Sequence, residues 1–240
     1  DISSRSVATV VSDKVVEFRL GSYNLRMGHL DTDEDNKWSV RRPRLMESIR
    51  RQAFDVAGLQ EVNSQMQSDL EEEFGGIYNF WFFSPYSQDG VGDKAHGIML
   101  RSSEFLISEK RFFWASDTPD VCSVTDIGPK GNYRRGGCCA VLTHISSGIR
   151  FFLMCSHACY NDEPNARYAS VYQAMESRYN PERLPSFFLG DLNTSPDSEA
   201  SRAYRRYWND ACLTVERSSR TGLLNTYNDY DCPLGISRID

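Results

Sequence analysis

Four short stretches of this chain end in side chains that can do chemistry. Val15–Asn24 alternates as a strand and ends in a carboxamide, Asn24; Phe54–Val62 is an apolar strand that ends at a carboxylate, Glu61. Ile149–Met154 runs on into His157, and Ser186–Leu189 delivers Asp191 and Asn193. Asp191 and Asn193 lie two apart, so in extended backbone they point to one side and can converge on one ion or water. Glu61, Asp191, Asn24 and Asn193 are hard oxygen donors, which suit Mg²⁺ or Mn²⁺ far better than zinc. His157 adds a donor for developing negative charge. A hard cation, a carboxylate that orients or deprotonates water and a neighbouring histidine are the parts needed for in-line attack of water on a phosphate ester. The residues therefore point to a metal-dependent phosphoesterase. The bland alternative is that Gly190-Asp191-Leu192-Asn193 only makes a turn, with Ser195 or Asp197 capping the next helix.

Other groups compete for attention. Cys155, His157 and Cys159 would share a side of one strand, which raises a soft-metal, thiolate zinc alternative. The seven cysteines include no Cys-x-x-Cys pair, and the odd number leaves at least one thiol free within a single chain. A net charge of -6 argues against holding nucleic acid by bulk electrostatics, although Arg134 and Arg135 form a local cluster able to contact substrate phosphate. The acidic run from Asp31 to Asp35 reads as a solvated face, since the glycine and terminal glutamate of a calcium loop are missing. His96 falls in the glycine-bearing stretch 88–97 and reads as a surface loop histidine.

Helices must position these strand ends. One opens near Ser39, with Leu45 and Ile49 four apart on its apolar face. A second spans Asn63 to Phe74, and a third starts at Pro164 with Tyr168, Val171, Tyr172, Met175 and Tyr179 on one stripe. A fourth carries Ala200, Ala203, Tyr204 and Tyr207 on one face. Between them, 77–113 reads as aromatic strands, and 138–154 as a hairpin turning at Ser146-Ser147-Gly148. No compositional break divides the chain, so residues 1–240 are expected to form a single α/β domain. No apolar run is long enough to span a membrane.

Tyr23-Asn24-Leu25-Arg26, Leu59-Gln60-Glu61-Val62, Cys155-Ser156-His157, Gly190-Asp191-Leu192-Asn193 and Ser237-Arg238-Ile239-Asp240 resemble, in order and spacing, the motifs of the endonuclease/exonuclease/phosphatase superfamily. Phe112 to Asp120 further resembles a segment of its bacterial, largely uncharacterised branch. The resemblance implies a DNase I-like four-layer α/β/β/α sandwich. It implies that Glu61 binds the metal with Asn24 beside it, that Asp191 orients or activates water, that Asn193 helps hold phosphate or metal, and that His157 stabilises the pentavalent phosphorus. In the family, the aspartate matching Asp240 orients a histidine from a later Ser-Asp-His motif, which this sequence lacks. The expectation is thus a domain apparently short of its C-terminal strand, with hydrolysis severely impaired if that segment is truly missing. A binding domain that kept the sandwich and lost the chemistry is the alternative. The substrate expected is a phosphate ester: nucleic acid, a phospholipid head group, or a sugar or inositol phosphate. A monomer is expected. The start at Asp1 without methionine reads as processing and, with the bacterial resemblance, leans towards export, while the odd cysteine count leans away from it.

Overall fold

The computed structural model describes residues 15–27, 33–128, 131–220, 225–227 and 238–239. In chain order the strands are β1 (Leu20–Asn24), β2 (Val56–Val62), β3 (Tyr78–Phe83), β4 (Ala95–Arg101), β5 (Phe105–Trp114), β6 (Asp126–Gly128), β7 (Gly131–Tyr133), β8 (Gly136–His144), β9 (Arg150–His157) and β10 (Ser186–Asp191). The helices are α1 (Trp38–Gln52), α2 (Ser64–Phe74), α3 (Asp162–Tyr179), α4 (Glu199–Tyr204) and α5 (Ala211–Thr214).

Two four-stranded sheets, ordered β1-β2-β4-β3 and β10-β9-β8-β5, repeat one plan. Each carries a single parallel pair, β1 with β2 and β9 with β10, beside antiparallel neighbours. A parallel pair needs a crossover, which α1 supplies in the first sheet and α3 in the second. The parallel pairs face each other across the sandwich, since β1 and β2 contact β10 and β2 contacts β9. Four strand C-termini are thereby brought to one mouth.

The continuous apolar runs follow from layering on both faces. Along β8 and β9, Cys139, Val141, Phe152 and Met154 pack outward under α3 and α4. Cys138, Ala140, Leu142, Phe151, Leu153 and Cys155 pack inward against Val56, Ile98 and Leu100 of the other sheet. On the first sheet Ala57, Leu59 and Met99 meet Leu45, Met46 and Ile49 of α1 and Met66, Leu70 and Phe74 of α2. This is the four-layer α/β/β/α sandwich expected from the resemblance. The sheets approach closely at Gly58, where a Cβ would stand 2.8 Å from Cys155 Sγ and 3.0 Å from Leu189 Cβ.

Several boundaries differ from the sequence reading. Residues 15–19 are not strand: Phe18 instead stacks on Phe151 at 4.9 Å between ring centres and meets Phe105 and Phe187 edge-on, plugging the inter-sheet layer. Helix α4 ends at Tyr204, so Tyr207 lies beyond it, half-exposed, and Trp208 packs on Phe188 in its place. That helix is capped by Ser198, whose hydroxyl accepts from Ser201 N, rather than by Ser195 or Asp197. The Asp162 carboxylate takes the Glu199 and Ala200 N–H groups from the neighbouring α3. His96 is not in a loop. It is the second residue of β4 and 1% exposed, because the strand begins earlier than the glycines suggest.

Candidate active site

Backbone departures at the ends of β1, β2 and β10 aim the polar groups. Beyond Asn24 the chain turns through Arg26 in the left-handed region (φ 57°), which lets Arg26 N–H donate to Asn24 Oδ1 at 2.9 Å. In β2 the register against β4 shifts between Leu59 and Val62, and Glu61 takes φ 55° inside this bulge. A bulge re-aims a side chain that regular pleating would direct elsewhere. After β10, Asn193 also adopts a left-handed conformation (φ 49°). Left-handed backbone costs about 1–2 kcal/mol for a residue with a Cβ, and three of the seven described non-glycine residues with positive φ, Arg26, Glu61 and Asn193, stand at this mouth.

Asn24 Nδ2 bridges two carboxylates, donating to Asp191 Oδ2 at 2.8 Å and Glu61 Oε1 at 3.2 Å. As oriented, Asn24 is a donor between acids rather than an oxygen ligand. Met27 N–H donates to Glu61 Oε2 at 3.2 Å, and Asn193 N–H to Asp191 Oδ1 at 2.9 Å. The expected extended geometry for Asp191 and Asn193 does not occur: the backbone N–H of Asn193 holds Asp191, while its Nδ2 reaches the Ala158 carbonyl at 3.3 Å. His157 ends β9 directly opposite Asp191, with Nε2 3.8 Å from Asp191 Oδ2.

Burial raises the Asp191 pKa, and the neighbouring Glu61 charge adds to this, while hydrogen bonds from Asn24 and Asn193 oppose it. Burial, then Arg135 and His96, hold His157 well below the usual histidine range. The His157 imidazole is therefore neutral, and its approach to Asp191 is not a salt bridge.

Arg135 is fixed by its backbone, with N–H donating to Thr125 Oγ1 at 3.0 Å and carbonyl accepting from Ala115 N at 2.8 Å. Its guanidinium lies over Tyr133, 5.2 Å from the ring centre, and its Nε is buried without a partner. Arg134 stands 6.0 Å over Tyr86, whose ring Lys94 also covers at 4.7 Å, and Arg134 Nε is likewise unpartnered. Arg135 reaches the centre electrostatically, influencing His157 and Asp191.

The thiolate zinc alternative is corrected by layering. Cys155 points between the sheets, where Gln60 Nε2 approaches its Sγ at 3.4 Å, while Cys159 is buried in the outer core under α3. The two thiols face different layers, because the strand ends at His157 and alternation does not continue. Among the described residues no three His, Cys, Asp or Glu side chains converge to enclose a metal by themselves. Asp240 lies outside the described residues. The adjoining Ile239 carbonyl accepts Leu192 N–H at 2.9 Å, just beyond Asp191.

His96 was missed as a site neighbour although the alternation His96, Ile98, Leu100 could have found it: all three occupy alternate positions of β4. A separate hollow lined by Phe18, Asp55, Arg101 and His144 opens at the opposite end of the strands. Its charges are internally matched, Arg101 with Asp55 at 3.1 Å.

The same architecture occurs in known proteins. A mannosyl-6-phosphatase of Bacteroides thetaiotaomicron VPI-5482 superposes with TM-score 0.76 and 24% identity, over 93% of this chain and 83% of that one. A functionally unknown conserved protein of Enterococcus faecalis V583 gives 0.78 and 20%, over 92% and 84%. The human Nocturnin catalytic domain with bound sulfate gives 0.62 and 15%, over 82% and 74%. At these identities the likeness is one of fold. A search among curated proteins finds no match. The sequence pattern of one family does extend across residues 21–237, spanning every strand that builds the mouth, and the chain belongs to the Endonuclease/Exonuclease/phosphatase family.

Proposed function

We propose that the chain is a divalent-metal-dependent phosphoester hydrolase acting at the mouth formed by β1, β2, β9 and β10. The observation that carries this reading is the bridging of two carboxylates from opposite sheets, Glu61 and Asp191, by one carboxamide, Asn24. Among the described residues no Lys or Arg side chain bonds to either acid, and neighbouring acids so placed call for a positive charge. An oxygen-only donor set suits Mg²⁺ or Mn²⁺, and Mg²⁺ needs only one or two protein carboxylates when water and phosphate oxygens complete its shell. The residues present therefore fit the cation, with Glu61 as its principal holder. When bound, the cation supplies charge neutralisation at the phosphoryl oxygens.

The chain's own groups divide the remaining work. Asp191, made more basic by burial, orients the attacking water and accepts its proton. Asn24 keeps the two carboxylates in register, and the Asn193 backbone N–H fixes the second Asp191 oxygen while its carboxamide is anchored at the Ala158 carbonyl. Neutral His157 donates to the phosphoryl oxygen on which charge develops, and Arg135, with Arg134 further out, pairs with the substrate phosphate. Asp240, next to the residue that meets Leu192, completes the proposed set. The net charge of -6 favours a small phosphate ester over an extended polyanion.

Release of p-nitrophenol from its phosphate monoester and diester tests this reading. Turnover is expected in millimolar Mg²⁺ or Mn²⁺, to vanish with EDTA and to return with excess metal. Absence of turnover on both esters with either metal would overturn it.

A further inference from the structure

His96 and His157 lie near the mouth ends of strands in opposite sheets. In β4, Ile98 and Leu100 belong to the inter-sheet layer, and His96 continues that face two residues nearer the mouth. In β9, Leu153 and Cys155 belong to the same layer, and His157 continues it. The bulge that carries Glu61 lies directly opposite His96 in the β2–β4 pairing.

His96 is buried among rings, with Phe83 edge-on at 5.2 Å, yet its Nε2 has no hydrogen-bond partner. An apolar side chain would suit that environment better, since an unpartnered buried polar atom costs stability. The Arg135 guanidinium acts electrostatically on both imidazoles, and its own Nε is equally unpartnered. Two buried donors without partners, at the same end of the sandwich as Glu61 and Asp191, match the oxygens of a tetrahedral anion.

We infer that His96 is a substrate contact, its Nε2–H donating to a non-bridging oxygen of the phosphoryl group between His157 and Arg135. This rests on the phosphoester reading and adds to it a residue that none of the sequence motifs contains. Burial and Arg135 push the His96 pKa down to about 3, so the ring is neutral and serves as a hydrogen-bond donor rather than a charge.

Inorganic phosphate is the probe, read as inhibition of ester turnover and as thermal protection of the full chain. His96→Phe is expected to fold and to keep the Mn²⁺-induced shift in Tm, while phosphate inhibition weakens by about tenfold or more, the loss of a hydrogen bond to a charged group. His96→Gln, whose Nε2 has similar reach, is expected to stay within about threefold of wild type. If the phenylalanine crowds Phe83 and the variant does not fold, His96→Leu carries the same comparison. Undiminished phosphate inhibition in the apolar variant overturns the inference. So does a His96→Gln defect equal to that of His96→Phe, which marks a packing role, or loss of the Mn²⁺ shift together with phosphate, which marks a metal role. If the wild type itself neither turns over ester nor binds phosphate, the parent reading fails and takes the inference with it.

Discussion

Asp191→Ala is expected to lower phosphate-ester turnover by about 10²–10⁴-fold, the range for loss of a positioned general base, while the protein remains folded. Asp191 is buried, pushed towards protonation first by burial and then by Glu61, and held by hydrogen bonds on both oxygens. Its removal takes away the group proposed to orient water and also releases Asn24, which spans from Asp191 to Glu61. The fold should tolerate the change, because a buried carboxylate repelled by its neighbour is a poor source of stability. Melting temperature and turnover measured on one preparation decide this: an unchanged Tm with activity lost fits, and undiminished turnover contradicts the assignment.

Gly190→Ala is expected to damage fold and function together. A Cβ there would stand 2.2 Å from the Ser156 carbonyl oxygen and 3.0 Å from its carbon. These are backbone atoms in the adjacent strand and cannot swing aside as a side chain would. Relief requires β10 to part from β9 at the Gly190–Ser156 pair, immediately before Asp191 and His157 come opposite each other. Overpacking of this kind costs about 1–3 kcal/mol, and a displacement of about 1 Å at the mouth costs about 10²-fold in rate. Gly76→Ala is the control, since its Cβ would meet nothing within 4 Å. It should stay within about 0.5 kcal/mol of wild type. Denaturant midpoints of the two variants make the comparison, and equal midpoints would remove the steric argument.

Much of the sandwich is legible in the chain because the central strands are buried on both faces and so read as uninterrupted apolar runs closed by polar residues. Asn24, Glu61, His157 and Asp191 stand out for that reason. Their convergence is less visible. It depends on each sheet carrying one parallel pair, with the two pairs placed face to face, a long-range arrangement that no single run encodes. Local backbone is the least legible level. Strict alternation extended past the strand ends would put Cys159 beside Cys155 and Asn193 beside Asp191. The chain instead leaves the sheet after His157 and turns through a left-handed residue at Asn193. The bulge at Glu61 has no marker such as glycine, since Glu61 itself adopts the unusual φ. His96 was obscured by the glycines before it, although the period of two from 96 to 100 was present in the sequence.

The central claim, that the strand mouth holds a hard divalent cation beside a phosphate, is tested most directly by Mn²⁺ titration followed by electron paramagnetic resonance, with wild type and Glu61→Ala compared with and without inorganic phosphate. Mn²⁺ is expected to bind the wild type, more tightly in the presence of phosphate, and at least about tenfold more weakly to Glu61→Ala. Equal Mn²⁺ affinity in the two proteins, or no binding by the wild type, would contradict it.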